Sequence, residues 1–420
     1  MKRIVKALFV MFATSAAAQV AVSTASTNHS FAQQGIVEAR KAVEDKPREY
    51  AVYNLLATAL VLRAQETFDP SLYAQAAEAV KKSLALSPGN FETEKIKASV
   101  LLGQRDYPAA LEKAQALNKR VPDDLTVYGL LTDAEIELGN YADAEDSATW
   151  MLNMRRGNRP AFIRASRMRE IFGDPEGAYE MADLAFQSTI PSEAGERASL
   201  LTQMGHLRLA NGNTDSAEKL FQQALTVFPN YPEALGNLAQ LRVAQKSFAD
   251  AVELFEQRYQ SVPRAGNLYY LAEALELAGR ETEAQKAFAD FEAKAWSEST
   301  HKDNSNRELV FYFADHAHQP GKALDVAERE YGWRHDVYTL DAYAWALHVN
   351  GRDAEARKQI ETALAVGIRD AKLFRHAGEI ALKVGDRAAA ERYLKQSAEL
   401  NSLDSESARL ELAHLSPTDR

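Results

Sequence analysis

A small apolar residue, alanine, recurs along most of the chain at a nearly constant spacing. Successive positions are separated by 34, 34, 34, 39, 34, 33, 39, 33 and 34 residues. Glycine stands five residues before several of these alanines, a larger apolar residue follows four residues after, and proline follows about twelve residues after several. Features that keep the same phase from unit to unit predict a repeat architecture. The alanines are Ala76, Ala110, Ala144, Ala178, Ala217, Ala251, Ala284, Ala323, Ala356 and Ala390.

Each unit is predicted to be two antiparallel helices. Glycines such as Gly139 and Gly385 suit a left-handed residue that ends the first helix, and the following Asn140 or Asp386 suits the cap of the second. The alanine marks the point where the two helices cross most closely, and the larger residue fills the adjacent gap. Proline then ends the second helix. The two spacings of 39 residues predict insertions of five residues, near 191–197 and 296–306.

This combination resembles the tetratricopeptide repeat (TPR), and the resemblance covers residues 36–402 as about ten repeats. It implies an all-α, right-handed superhelical solenoid whose concave surface is lined by the first helix of each pair and holds peptides or other proteins. Lys246 departs from the pattern because it stands at a turn-glycine position, and the first unit has a longer first helix, over about 48–66. The fullest unit carries Gly205, Gly212, Ala217, Phe221, Ala224 and Pro229.

The N-terminus has the order of a secretory signal peptide. Lys2, Arg3 and Lys6 precede the apolar run 7–13, and small residues follow as far as Ala18. This order predicts export and cleavage, and the run is too short for a permanent membrane span. We expect a signal peptide over residues 1–18, with cleavage after 25 or 32 as alternatives, and a polar linker over residues 19–35.

The composition narrows the compartment and the chemistry further. The chain has no cysteine, which excludes disulfides, cysteine-ligated metals and a lipidated N-terminal cysteine. A periplasmic or secreted protein without a lipid anchor is therefore expected. The net charge of −10 argues against nucleic acid as a partner. Residues 66–70 and 336–347 also resemble exported bacterial TPR proteins of undefined activity.

No catalytic motif occurs in the chain. The sequence lacks the zinc-protease pattern HExxH, the hydrolase pattern GxSxG and the phosphate-binding pattern GxxxxGK[ST]. Because a solenoid of helix pairs brings no chemistry of its own, we expect no enzymatic activity, no catalytic residue, no metal and no cofactor.

A cluster of arginines is the first candidate binding surface. Residues 154–170 carry a net charge of +5 in an acidic chain, and guanidinium groups suit carboxylate, phosphate or acidic peptide. The alternative is a solvated face whose arginines pair with Glu135, Glu137, Asp143 and Glu145 of the preceding unit. The candidate anion-binding residues are Arg155, Arg156, Arg159, Arg164 and Arg167.

A second candidate lies on the groove-facing positions of the later repeats, where acids alternate with aromatic residues. Such positions suit a basic or proline-rich peptide, through cation–π contact and burial, and aromatic rings also stack on sugars. The alternative is that the aromatic residues fill gaps between helices and the acids are solvated. The candidate groove residues are Tyr269, Glu273, Glu276, Glu308, Tyr312, Asp315, Tyr338, Asp341, Trp345, His348, Arg375 and Glu379.

The sequence as a whole predicts a non-enzymatic scaffold of the bacterial envelope that binds a protein or peptide partner in the concave groove. A polysaccharide- or peptidoglycan-binding protein of the same compartment is one alternative, and a cytoplasmic TPR adaptor is a second. Residues 403–420 are predicted to form a C-terminal capping helix and tail, in which Leu410, Leu412 and Leu415 cover the last apolar face.

Overall fold

The computed structural model describes residues 30–155, 157–400 and 403–415, which fold as helices and connecting loops with no β-strand. A π-helical turn, Tyr312–His316, continues one of the helices. The helices are α1 (Phe31–Asp45), α2 (Tyr50–Thr67), α3 (Pro70–Leu86), α4 (Phe91–Gly103), α5 (Tyr107–Arg120), α6 (Leu125–Leu138), α7 (Tyr141–Met154), α8 (Arg159–Ile171), α9 (Pro175–Gln187), α10 (Ala194–Ala210), α11 (Thr214–Val227), α12 (Pro232–Ala244), α13 (Phe248–Ser261), α14 (Ala265–Leu277), α15 (Glu281–Glu298), α16 (Asn306–Phe311), α17 (Pro320–Tyr331), α18 (Val337–Val349), α19 (Asp353–Leu364), α20 (Ala371–Lys383), α21 (Arg387–Ala398) and α22 (Leu403–Leu415).

Ten helix pairs run from α2 and α3 to α20 and α21, with α1 before them and α22 after them. All ten alanines of the repeat pattern lie on the second helix of a pair, and none is more than 3% exposed. In the fifth pair, a Cβ atom added to Gly205 would lie 2.5 Å from the ring of Phe221. The aromatic ring therefore fills the gap beside the alanine, as predicted, and the chain is an all-α superhelical solenoid.

The turns within the pairs follow the prediction with one exception. Gly139 and Gly385 have φ of 79° and 83°, in the left-handed region that favours glycine. Asp386 caps α21 by accepting from the backbone amide of Ala389 at 3.0 Å. The predicted cap by Asn140 is wrong, since its side chain makes no capping bond to α7. Lys246 adopts φ of 61° in place of the missing glycine.

The predicted insertions coincide only in part with loops that precede a first helix, because 194–197 form the first turn of α10 and 296–298 the end of α15. One loop lies between Gln187 and Ala194, and the other between Glu298 and Asn306. After the second insertion the eighth pair begins with α16, which is only six residues long and passes into the π-helical turn. The first helix of this pair is thereby distorted at a position where the sequence predicted a regular helix.

The two ends depart from the predicted boundaries. Residues 1–29, which include the predicted signal peptide, lie outside the described residues. The linker expected over 19–35 is wrong for its last five residues, because α1 begins at Phe31 and Ser30 caps it. At the other end α22 forms as predicted, but Leu410 is 61% exposed, and the buried residues are Ser405 and Ala408.

Within the described residues, no helix is both long and apolar enough to cross a bilayer.

The superhelix closes on itself, because turns in the early pairs lie against loops that enter pairs six positions later. At the turn of the second pair, Asp106 Oδ1 lies 2.5 Å from Lys302 Nζ of the loop before α16. Arg105 of the same turn donates to the carbonyl oxygen of Asn304 at 3.2 Å. These contacts join the turn between α4 and α5 to the loop before α16, so successive superhelical turns are in direct contact.

The third and fourth pairs repeat this arrangement. The Tyr141 hydroxyl accepts from the backbone amide of Val337 at 2.9 Å, and the Leu138 carbonyl accepts from that of His335 at 3.4 Å. Gly173 packs directly against Gly367. We call these contacts the inter-turn seam. It comprises 105–106 with 302–304, 138–141 with 335–337, and 173 with 367.

Replacing Gly173 with alanine should open the seam. An added Cβ would lie far inside van der Waals contact with the Gly367 carbonyl oxygen. Gly279 is the matched control, because it has a similar φ, 72° against 77°, and an added Cβ would meet no atom within 4 Å. In both variants the free energy of unfolding should fall by about 1–2 kcal/mol, because alanine is disfavoured in the left-handed conformation. Only Gly173→Ala should lower the free energy of unfolding further and increase the radius of gyration measured by small-angle scattering. Equal stability and equal size of the two variants would contradict the contact between Gly173 and Gly367.

Candidate functional site

The first helices of the early pairs enclose a cavity on the inner surface of the superhelix. Its volume is about 420 Å³, and its walls come mainly from α4, α6 and α8. Polar side chains from all three helices face it, among them Ser99, Thr126 and Asp133. The concave surface of this half therefore carries a partly polar pocket with room for part of an extended chain.

The predicted arginine patch borders this cavity, but most of its charge is paired. Arg159 binds Glu193 through two nitrogens, at 2.7 and 2.8 Å. Arg164 lies 2.5 Å from Asp133, and Arg167 pairs with Glu137. Arg155 is exposed at the end of α7, and Arg156 lies outside the described residues.

An open anion-binding patch is therefore the wrong description of this cluster. The alternative interpretation, pairing with acids of the preceding unit, holds for Arg164 and Arg167. Of the predicted partners only Glu137 takes part. Glu135 is buried instead against Ser147, whose hydroxyl donates to it at 3.0 Å, and burial raises the pKa of Glu135 to about 7.

A histidine adds a positive charge farther along the same inner surface. His206 Nε2 lies 3.0 Å from Glu170 Oε1, and its Nδ1 lies 3.3 Å from Asn237 Oδ1. Desolvation by the surrounding protein lowers the pKa of His206, but the hydrogen bond and charge of Glu170 outweigh it and raise that pKa to about 9. The imidazole is therefore protonated at neutral pH, so His206 and Glu170 form an ion pair.

The predicted acidic–aromatic groove lies on the first helices of the last four pairs, but its centre is core. Asp341 Oδ1 is 2.7 Å from His376 Nδ1, and both side chains are 0% exposed. The Trp345 ring stacks on His376 with 4.1 Å between centroids, and its indole donates to Asp315 at 2.8 Å. Asp341 and Trp345 therefore hold α18 against α20 and do not line an open groove.

Most of the other predicted groove residues also have protein partners. The Tyr269 hydroxyl donates to Glu273 at 2.8 Å, and the Tyr312 hydroxyl donates to Glu292 at 2.9 Å. The remaining partners are His348 with Asp353, Arg375 with Glu379 and Asp404, Glu276 with His316, Glu308 with Tyr270, and Tyr338 with Arg307. The prediction of a free acidic surface is therefore wrong for this face.

His376 is the residue at the centre of this buried cluster, and the sequence analysis did not predict it. It follows the predicted Arg375 and stands 35 residues after Asp341, which is one repeat later on the neighbouring first helix. A search for ionisable pairs separated by one repeat would have found it, because residues at equivalent positions of adjacent repeats face each other.

The comparisons with known proteins agree with this architecture. Two family models described as tetratricopeptide repeat match residues 97–149 and 208–258. The chain is a tetratricopeptide repeat protein. TPR proteins are in general protein-interaction scaffolds, whose stacked repeats offer an extended binding surface.

One curated relative and several solved structures are similar to the chain. The TPR repeat-containing protein YpiA of Bacillus subtilis (strain 168) is 26% identical over 229 residues, which are 52% of this chain and 51% of YpiA. The chain thus spans about half the length of that relative.

Among solved structures, PilW, a type IV pilus biogenesis factor, has a TM-score of 0.42 at 16% identity and covers 49% of this chain and 94% of its own. Yeast Tom70 has a TM-score of 0.42 at 15% identity, covering 91% and 93% of the two chains. The human IFIT1 dimer with PPP-AAAA has a TM-score of 0.49 at 13% identity, and the match covers 86% of this chain and 93% of the IFIT1 chain.

Asp341→Ala should destabilise the TPR fold, because it leaves His376 buried without its partner. Breaking a buried pair costs about 3–5 kcal/mol, so the free energy of unfolding in urea, followed by circular dichroism, should fall by that amount. Asp290→Ala is the control, since Asp290 pairs with Lys286 on an exposed face and its loss should leave stability almost unchanged. Equal effects of the two variants would place Asp341 on an open surface.

Proposed function

We propose that this TPR protein is an exported, non-enzymatic scaffold that holds an extended segment of a partner protein inside its superhelix. The observation that carries the proposal is the polar inner surface enclosed by the inter-turn seam. A groove that is covered along one edge admits a single extended chain more readily than a folded domain, because a domain needs an open face.

The polar groups of this pocket support a segment that is bound through hydrogen bonds. Gln65, Ser99 and Thr126 border the cavity of about 420 Å³, and His206 lies on the same inner surface. An extended chain carries unpaired backbone amides and carbonyls, which these side chains can bind in place of water.

The proposed compartment rests on the N-terminal sequence alone. The order of basic, apolar and small residues over 1–18 supports export through the general secretory route, and we propose that the mature protein works in the bacterial envelope.

A protein segment is favoured over a glycan for a physical reason. Sugar binding needs aromatic faces that are open to the ligand, and in this structure Tyr269 is 2% and Trp345 is 6% exposed. The rings that would have served as platforms are packed against neighbouring helices.

Photo-crosslinking in the native host tests the proposal. A photoreactive phenylalanine analogue at Ser99 or Thr126, which border the inner cavity, should capture one discrete partner. The same analogue at Lys286, an exposed residue of α15, is the control and should not capture it. Mass spectrometry of the conjugate should place the attachment within a single segment of the partner and should find a mature chain that begins after residue 18.

Two results would contradict parts of the proposal. Capture of the same partner from Lys286 but from neither inner position would place binding on the outer face of the solenoid. A captured chain that retains residues 1–18 would contradict export and favour a cytoplasmic adaptor.

A further inference from the structure

Several described cations of the later repeats have no carboxylate partner, and two of them, Arg307 and Lys372, lie near one another on the first helices α16 and α20. Among the described residues, the guanidinium of Arg307 and the ammonium of Lys372 each have no carboxylate oxygen within 4.0 Å, the limit for an ion pair. Arg307 also donates no hydrogen bond to the described protein, and its Nε atom is buried without a partner. By contrast, the acids at the neighbouring groove positions already bind a partner.

Both cations lie against one aromatic ring. The Arg307 Cζ atom lies 5.7 Å from the centre of the Phe311 ring and 4.6 Å from the centre of the Tyr338 ring. Lys372, on α20, is 4.7 Å from the centre of the same Phe311 ring. The aromatic faces hold the two side chains in place through cation–π attraction while the charges keep no counter-ion in direct contact.

Both groups stay charged in this position. Burial lowers the pKa of Arg307, but the charges of Asp341, Asp370 and Glu308 outweigh it and the pKa lies above its usual range. Burial likewise lowers the pKa of Lys372, and Asp404 and Glu273 outweigh it. These acids act from beyond ion-pair distance and are committed elsewhere, as in the pair of Asp341 with His376.

Arg307 opens onto a cavity of about 190 Å³ between α16, α17 and α18. Two more arginines line the cavity, but Arg105 is paired with Asp303, and Arg334 with Asp336. The wall also contains two carboxylates that the protein already binds: Glu330 accepts from the Asn306 side chain at 2.8 Å, and Glu308 accepts from the Tyr270 hydroxyl at 3.2 Å. The cavity is large enough for a carboxylate side chain and lies at the inter-turn seam.

We infer that Arg307 and Lys372 bind carboxylate groups of an acidic segment in the partner protein. This inference rests on the proposed function, because it names the chemistry of the segment held inside the superhelix. It reverses the charge expected from the sequence, which favoured a basic or proline-rich peptide. The acids on which that expectation relied accept hydrogen bonds or lie in ion pairs within the protein, whereas among the described residues these two cations have neither kind of partner.

A nucleic acid is a weaker candidate for the same cations. The chain carries a net charge of −10, which repels a polyanion over its whole length. The ring faces of Phe311 and Tyr338 are already in contact with the cations, so they are not free to stack on bases. A peptide can place one or two carboxylates at these positions without a long run of charge.

Fluorescence anisotropy with defined probes tests the inference on the full mature chain. The probes are a fluorescein-labelled peptide of alternating glutamate and serine, a lysine–serine peptide of equal length, and a labelled oligouridine. The wild-type protein should bind the glutamate peptide best, and added salt should weaken binding. Arg307→Gln should weaken it by about 10- to 100-fold, the usual effect of losing a hydrogen bond to a charged group, and Arg307→Lys should keep part of the affinity.

Arg352→Gln is the matched control, because it removes the same charge from the outside of the solenoid, where Arg352 pairs with Glu328 and Glu355. It should bind the glutamate peptide as the wild type does, and thermal melts should show that all variants are folded. Tighter binding of the lysine peptide or the RNA, no binding of the glutamate peptide, or equal weakening by Arg307→Gln and Arg352→Gln would overturn the inference. The photo-crosslinking result is separate, since a captured segment without acids would leave the proposed function standing and refute this inference alone.

Discussion

The close crossing of two helices at a buried alanine is the constraint on which the rest of the structure depends. The alanine is almost fully buried in all ten pairs, and residues such as Gly205 admit the aromatic ring that fills the neighbouring gap. Because each pair therefore stacks on the next in nearly the same way, a small rotation is repeated along the chain. After six pairs the superhelix returns to its own edge, and the inter-turn seam forms there.

Closure changes the chemistry of the inner surface. Charged side chains that would be solvated in an open groove face one another in a confined space, where their interactions are stronger than in bulk water. Arg167 with Glu137 and His206 with Glu170 are such pairs, and the Arg167 and His206 side chains remain 42% and 49% exposed to the inner space. What remains for a partner is the unsatisfied part of this surface, which includes Arg307 and Lys372. The seam and the binding hypothesis are thus linked, since an open solenoid would expose other groups.

The local structure could be predicted from the sequence, and the long-range contacts could not. The spacing of alanine, glycine and proline fixed the helix pairs, because each unit needs the same small contact and the same turn. Gly139 and Gly173, however, look like Gly279 in the sequence, although only the first two pack against another superhelical turn. That contact depends on the summed rotation of six pairs, for which a single repeat carries no signal. The predicted groove residues lie on the correct helices, but Asp341 is covered by His376 of the following repeat, and the π-helical turn near Tyr312 breaks the expected register.

Closure of the superhelix in the absence of a partner is the central claim, and a distance measurement between its turns tests it most directly. The chain has no cysteine, so two introduced cysteines would carry the only two spin labels. Asp143→Cys of α7 and Lys358→Cys of α19 suit this purpose, because both residues are exposed and lie on facing superhelical turns. Double electron–electron resonance on the isolated protein should give one narrow distance distribution, centred on the separation in this structure. A broad distribution at longer distances would show that the turns are apart in solution, and would contradict closure at the inter-turn seam.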